Sequence, residues 1–312
     1  MRAAAVAAVL GSMIVAAGAG NPAAMAGAHP ASPAASTHPT RLDLKSNVAL
    51  VFDEAHGQTL YAKNPDRVVP IASITKLMTA MVVLDARLSM DETITIDRAD
   101  VDRLKYTHSR LEVGAQVPRG DLLWVALMSS ENRAAAALGR TYPGGAAACV
   151  AAMNLKARQI GMLQARFADT SGLSSGNVAS AEDLSLMVQA AAEYPEIRRF
   201  TTSTAHTVRL SRGRVLEFHN SNGLVSNKTW TIGLSKTGYL NEAGRCLVMQ
   251  AEIAARPVII VLLDSFGKYT RLGDANRIRK WMEAAIAAPA AIGASRAPAP
   301  TAAPAARSAG SH

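Results

Sequence analysis

Ser73 and Lys76 stand three residues apart in Ser73-Ile74-Thr75-Lys76, ahead of the apolar run Leu77 to Leu84. At that spacing a hydroxyl and an amine share one face of a helix. Ser73 at the start of that helix would sit where unpaired backbone N–H groups and the helix dipole favour negative charge, which suits an alkoxide and an oxyanion. Burial of Lys76 in apolar surroundings would favour its neutral form, and a neutral amine can take a proton from the serine. Two further groups carry polar chemistry at element ends, Ser130-Glu131-Asn132 and Lys236-Thr237-Gly238. Taken singly each has an ordinary reading: Ser130 and Asn132 as helix caps, Lys236 as a solvated strand residue, Gly238 as a turn residue.

The elements that must position these groups are legible in outline. Ala49–Asp53 and Thr59–Ala62 read as a hairpin about His56-Gly57, and a buried helix follows from near Ser73. Thr93–Ile96 is a short strand, and Leu111–Val117 a second one ending at Pro118. Asp121 opens a helix that is apolar nearly all round and delivers Ser130 to Asn132 at its end. Helices are predicted over Arg133–Arg140, Ala146–Ile160 and Ala181–Glu193, the last stopped by Pro195, with a turn at Asp169–Leu173. Thr204–Leu216 reads as a hairpin around Ser211 to Gly213. Three neighbouring strands follow, Thr231–Lys236, Cys246–Ile253 and Val258–Leu263, and then a last helix, Thr270–Ile286. Short connections make those strands antiparallel. The expected fold is α+β: a five-stranded antiparallel sheet flanked by helices, with an all-helical insertion.

The remaining sequence bounds the setting. The chain has 312 residues, 49% of them hydrophobic, enough for a sizeable core over the predicted domain 46–287. Residues 1–28 have a charged start, a short apolar middle and small-residue exit sites, the pattern of an export signal rather than a membrane span. Residues 29–45 and 288–312 are rich in Ala, Pro and Ser and read as a linker and a tail without structure. The formal charge of +9 would suit an acidic partner, but the basic residues are scattered and only 4% of residues are aromatic, so nucleic acid is not expected. Cys149 and Cys246 could form one bridge or be two small buried side chains. No histidine and cysteine cluster has metal spacing, so no metal is inferred. His56, His108, His206 and His219 read as surface or structural residues, because a serine–lysine pair needs no histidine.

All three motifs in this order resemble the set S-x-x-K, S-x-N and K-T-G of serine β-lactamases and penicillin-binding proteins. The longer stretches Met128–Ala135, Tyr142–Gly145, Asp169–Leu173, Leu234–Tyr239 and Glu242–Met249 resemble the low-molecular-mass penicillin-binding proteins of the D-alanyl-D-alanine carboxypeptidase family, and within it the shorter endopeptidases of the penicillin-binding protein 7 type. The resemblance spans Asn47 to Ile286. It implies that Ser73 is acylated, Lys76 is its base, Ser130 relays a proton to the departing amine, and Asn132 holds Lys76 and a substrate amide. It further implies that Lys236 and Thr237 receive a carboxylate, Gly238 lets the strand approach the substrate, and the N–H groups of Ser73 and Tyr239 form the oxyanion hole. Mutual repulsion of Lys76 and Lys236 is expected to help keep Lys76 neutral.

The implied activity is periplasmic D,D-endopeptidase cleavage of D-Ala-to-diaminopimelate cross-links, with peptidoglycan stems as partners, β-lactams as covalent inhibitors, no cofactor and no membrane span after processing. A D-alanyl-D-alanine carboxypeptidase is the alternative. A β-lactamase or an inactive scaffold fits less well: no deacylating glutamate is evident near Asp169–Leu173, and each motif position carries a residue suited to chemistry.

Overall fold

The computed structural model describes residues 42–287 apart from 211 and 212. The expected export signal, the tail from 288, and the linker up to residue 41 lie outside the described residues. Packed chain begins slightly before the predicted boundary at 46: Leu44 is buried, and the Lys45 N–H donates to Asp274 (3.1 Å).

The hairpin β1 (Val48–Asp53) and β2 (Gln58–Lys63) forms as predicted, turned by the Asp53 carboxylate, which accepts from the N–H groups of Ala55 and His56. A short β3 (Val69–Pro70) leads through a single 3-10 turn, Ala72–Ile74, into α1 (Thr75–Asp85). Next come β4 (Thr93–Thr95), β5 (Gln116–Pro118), α2 (Arg119–Met128), α3 (Asn132–Arg140) and α4 (Gly145–Gln159). Then follow β6 (Val178–Ala179), α5 (Ala181–Ala192), α6 (Pro195–Thr202), β7 (Ala205–Arg209) and β8 (Val215–His219). The chain closes with β9 (Thr231–Leu240), β10 (Gly244–Ile253), β11 (Arg256–Ser265) and α7 (Thr270–Ala287).

The main sheet is antiparallel in the order β2-β1-β11-β10-β9, so the first and last strands of the domain are neighbours and β9 keeps an open edge. Alternation splits its side chains between two layers. Val48, Leu50, Val248, Ile259 and Val261 face α1 and the helical insertion. Ala49, Val51, Leu247, Met249 and Ile260 pack against α7 through Ala275, Ile278 and Met282. Helix α1 is buried from Thr75 to Val83, so its burial, worth about 1.5–3 kcal/mol per large apolar side chain, holds the segment after Ser73 rigidly.

Four predicted details change. Only Gln116–Pro118 of the expected strand 111–117 is strand, because side chains of the helix junction take up the preceding loop: Arg133 Nη1 donates to the Leu111 carbonyl (2.5 Å). Pro195 does not merely stop α5; it opens α6, where the N–H it lacks is not needed. The ladder β3–β6 pairs two short segments that the sequence left as loop, and β3 leads directly into the turn that carries Ser73. Strand β9 continues through Lys236, Thr237 and Gly238 to Leu240, since β10 offers partners along its length, and Gly238 pairs with Cys246 rather than forming a turn. Cys149 and Cys246 are both free and buried, which resolves the open alternative in favour of two packed thiols.

Candidate active site

The main chain at Ser73 is gripped from two sides. A Cβ on Gly172 (φ +82°) would lie 2.2 Å from the Ala72 carbonyl oxygen, and one on Gly238 would lie 2.9 Å from that of Ile71 and 3.2 Å from the Ser73 nitrogen. Only glycine permits either approach. Ala72 itself is held at φ +47°, an uncommon conformation for a residue with a side chain, and the Thr75 hydroxyl donates to its carbonyl (2.7 Å). Such local strain persists because the surrounding packing over-determines it.

Lys76, 1% exposed, lies one turn on. Its Nζ donates to Ser73 Oγ (2.8 Å), Asn132 Oδ1 (2.7 Å) and the Ser171 carbonyl (2.5 Å), all uncharged acceptors. Burial pushes its pKa down to about 7, against the opposing pull of Asp169 and Glu131. The expected repulsion between the two lysines acts on Lys236 rather than as a main cause at Lys76; burial, Lys76 and Arg271 hold Lys236 well below the ordinary lysine value. With Lys76 neutral, the Ser73 hydroxyl can donate to Nζ, the arrangement a nucleophile needs.

Asn132, at the start of α3, uses its other end to donate to Thr107 Oγ1 (3.0 Å). Ser130 is half-buried at φ +64°, and its hydroxyl has no hydrogen-bond partner among the described residues. Lys236, also 1% exposed, donates to the Thr237 carbonyl (3.0 Å), and the Thr237 hydroxyl to Ser221 Oγ (2.8 Å). Tyr239 is half exposed, its hydroxyl donating to Asn241 and its ring lying 4.5 Å beneath the Arg245 guanidinium. Ser73 lies in the 3-10 turn ahead of α1 rather than in the helix, and the other predicted site residues lie on α1, at the α2–α3 junction or along β9.

Several contributors were missed. The Ser171 carbonyl, Thr107, Ser221 and Arg271 reach the site from loops and from α7, far away in sequence. Arg271 is buried, donates to the Gly238 carbonyl (3.5 Å) and leaves its Nε unpartnered, with its pKa lowered by burial and by Arg245. No local pattern marks it. The Asp169 carboxylate accepts from the N–H groups of Ser171 (2.7 Å), Gly172 (2.5 Å) and Ser174 (2.6 Å), and so shapes the loop that presents the Ser171 carbonyl. The turn-rich text at 169–173 was the available signal. Lys76, Lys236 and Arg271 form no ion pair among the described residues, and burial lowers the pKa of each.

The histidines stand elsewhere. His206 stacks on Trp124 (4.1 Å between centroids) with Asp121 at 2.8 Å, His56 contacts Asp53, and His108 and His219 are exposed. Among the described residues no group of three or more His, Cys, Asp or Glu is placed to hold a metal ion, and no helix is long and apolar enough to cross a membrane.

The sequence pattern of the D-alanyl-D-alanine carboxypeptidase family matches residues 33–267, three-quarters of the chain. The chain belongs to that family. Among its members, a D-alanyl-D-alanine endopeptidase of Pseudomonas aeruginosa is 50% identical over 246 residues, 78% of this chain and 79% of that one. A D-alanyl-D-alanine endopeptidase of Escherichia coli is 44% identical over 250 residues, 80% and 81% of the two chains. The solved D-alanyl-D-alanine carboxypeptidase of Mycobacterium tuberculosis superposes with a TM-score of 0.72 at 26% identity, covering 82% of this chain and 96% of that one. A Streptomyces DD-transpeptidase gives a TM-score of 0.73 at 27% identity over 80% and 99%. The chain shares its fold with these solved neighbours, and the expected α+β architecture with a five-stranded antiparallel sheet is the one observed.

Proposed function

We propose that this chain is a periplasmic serine D,D-endopeptidase that opens D-Ala-to-diaminopimelate cross-links of peptidoglycan, reaching its compartment through the N-terminal export signal. The observation that carries the reading is the Lys76 amine, buried, 2.8 Å from Ser73 Oγ and with a pKa near 7. Ser73 Oγ attacks the carbonyl carbon of a D-alanine while its proton passes to Lys76 Nζ. The oxyanion forms between the N–H groups of Ser73 and Tyr239. As the tetrahedral adduct collapses, the C–N bond breaks and the amine departs with a proton relayed from Lys76 through Ser130 Oγ, leaving an ester on Ser73 that water hydrolyses. Lys236, the Thr237 hydroxyl and Arg271 supply positive charge and a donor for the carboxylate beside the scissile amide. A β-lactam, with its own ring amide and carboxylate, enters the same site and acylates Ser73.

A carboxypeptidase reading is supported by the same carboxylate-binding residues, since a terminal D-Ala-D-Ala also places a carboxylate next to the scissile bond. Mass spectrometry of products from a pentapeptide muropeptide and a cross-linked dimer, offered together, separates the two. Monomers released from the dimer, and lost with Ser73→Ala, are expected. Loss of only the terminal D-alanine from the pentapeptide would replace the endopeptidase reading with the alternative, and cleavage surviving in Ser73→Ala would remove both.

A further inference from the structure

The cleft has a direction. Along β9 come Lys236 and Thr237 for the departing side's carboxylate, then Gly238 against Ser73, then Tyr239. The acyl half of a bound peptide must therefore run on toward Asn241 and Glu242, at about 3.3 Å per residue. The opposite wall at that end is the loop 102–111, stapled to the helix junction by three consecutive residues. Asn132 donates to Thr107, Glu131 accepts from the Ser109 hydroxyl, and Arg133 donates to the Leu111 carbonyl. The Asp102 carboxylate shapes the crown of the loop, accepting from the N–H groups of Leu104 (2.8 Å), Lys105 (2.9 Å) and Thr107 (2.8 Å).

From that crown Lys105 reaches across the end of the cleft and its Nζ donates to Glu242, in the turn after β9. The bond from Lys105 holds the Glu242 carboxyl below its ordinary pKa and so favours the carboxylate. Tyr106 beside it is 82% exposed and sits at φ +55°, an uncommon conformation for an aromatic residue and one that recurs at functional sites. A partly exposed pair of this kind adds little to stability, so a ligand can displace it at small cost.

We propose that Lys105 and Glu242 form a subsite for a stem-peptide side chain that ends in an ammonium and a carboxylate on one carbon, the carboxylate meeting Lys105 and the ammonium Glu242. The inference rests on the reading of Ser73 as the acylated nucleophile, which fixes the direction of the peptide. A diamino diacid at the acyl side presents this end, whereas lysine presents the ammonium alone and N-acetyl-lysine no charge.

The test compares kcat/KM for three synthetic peptides differing only in that residue, with the full chain and with Lys105→Ala and Glu242→Ala. The parent protein should prefer the zwitterionic peptide over the neutral one by about tenfold, the worth of one charge-assisted hydrogen bond, with lysine between them. In each variant the ratio should collapse toward one. A strap that served structure alone would lower all three substrates together and leave the ratio unchanged, which overturns the subsite. So does a parent protein that cleaves all three peptides equally. Labelled penicillin on Ser73 separates the levels: labelling with no side-chain preference removes only the subsite, and absent labelling removes the underlying reading and the subsite with it.

Discussion

The two faces of the five-stranded sheet both adjoin buried charge and treat it in opposite ways. On the α7 side Asp274 is fully buried and saturated: it accepts from the N–H groups of Lys45 (3.1 Å) and Ser46 (2.7 Å), the Ser46 hydroxyl (2.6 Å) and Arg277 Nη1 (2.5 Å). On the α1 side Lys76 and Lys236 are equally buried but meet only uncharged acceptors, and burial pushes both toward neutrality. A buried charge with a complete set of partners ties elements together; one kept without a counter-charge is costly to the fold and marks a place where protons or anions are handled. The contrast separates architecture from chemistry within one domain.

The largest expected effect tests the chemical side. Lys76→Ala should lower the rate of Ser73 acylation by labelled penicillin on the order of 10³-fold or more, the contribution of a positioned base, while the melting temperature stays level or rises. A variant that unfolds would show that Lys76 belongs with Asp274 as architecture. The second tests the other face: Asp274→Ala should cost about 3–5 kcal/mol in denaturant unfolding, because Arg277 and two main-chain donors lose their acceptor, yet leave penicillin labelling per folded molecule unchanged. Labelling that falls while folding persists would dissolve the distinction.

The third concerns pH. Because the folded pKa of Lys76 is near 7, acylation should fall about tenfold per unit as pH drops below that value, tracking loss of the neutral amine. Stability should move in the same direction at higher pH. Between about 7 and 10.5 the unfolded chain binds a proton at Lys76 that the native state does not, so the penalty on folding disappears as pH rises through that window. An acylation rate flat from pH 5 to 8 would place the base elsewhere.

Much of this contrast was readable in the sequence on its chemical side and little of it on the other. Ser73, Lys76, Asn132 and Lys236 announce themselves because each sits within a short motif, where side-chain type and spacing survive without knowledge of the fold. Strand β9 and its neighbours were legible from alternation, and α1 from its apolar run. Asp274 and Arg271 carry no such mark; they lie on a helix predicted from its apolar face alone, and their partners arrive from Lys45, Ser46 and Gly238 through tertiary packing. Residues 111–115 were misread as strand because Leu111, fully buried, satisfies a packing need while its carbonyl is taken by the Arg133 side chain. Pro195 misled for a simpler reason: the residue that ends one helix also suits the first position of another.

The pairing of β1 with β11, Val48 opposite Leu263, has a consequence for how such a chain comes into being. A polypeptide emerging from its N-terminus can form α1 and expose Ser73 early. Lys236, Gly238 and the open edge of β9 arrive late, and β9 joins the rest of the sheet only through β10 and β11. Until those last strands are in hand, the serine has neither Gly238 pressed against its backbone nor Lys236 and Arg271 nearby. Synthesis order thus sets the last step of assembly: a chain that ends before β9 holds Ser73 without the strand that packs against its backbone.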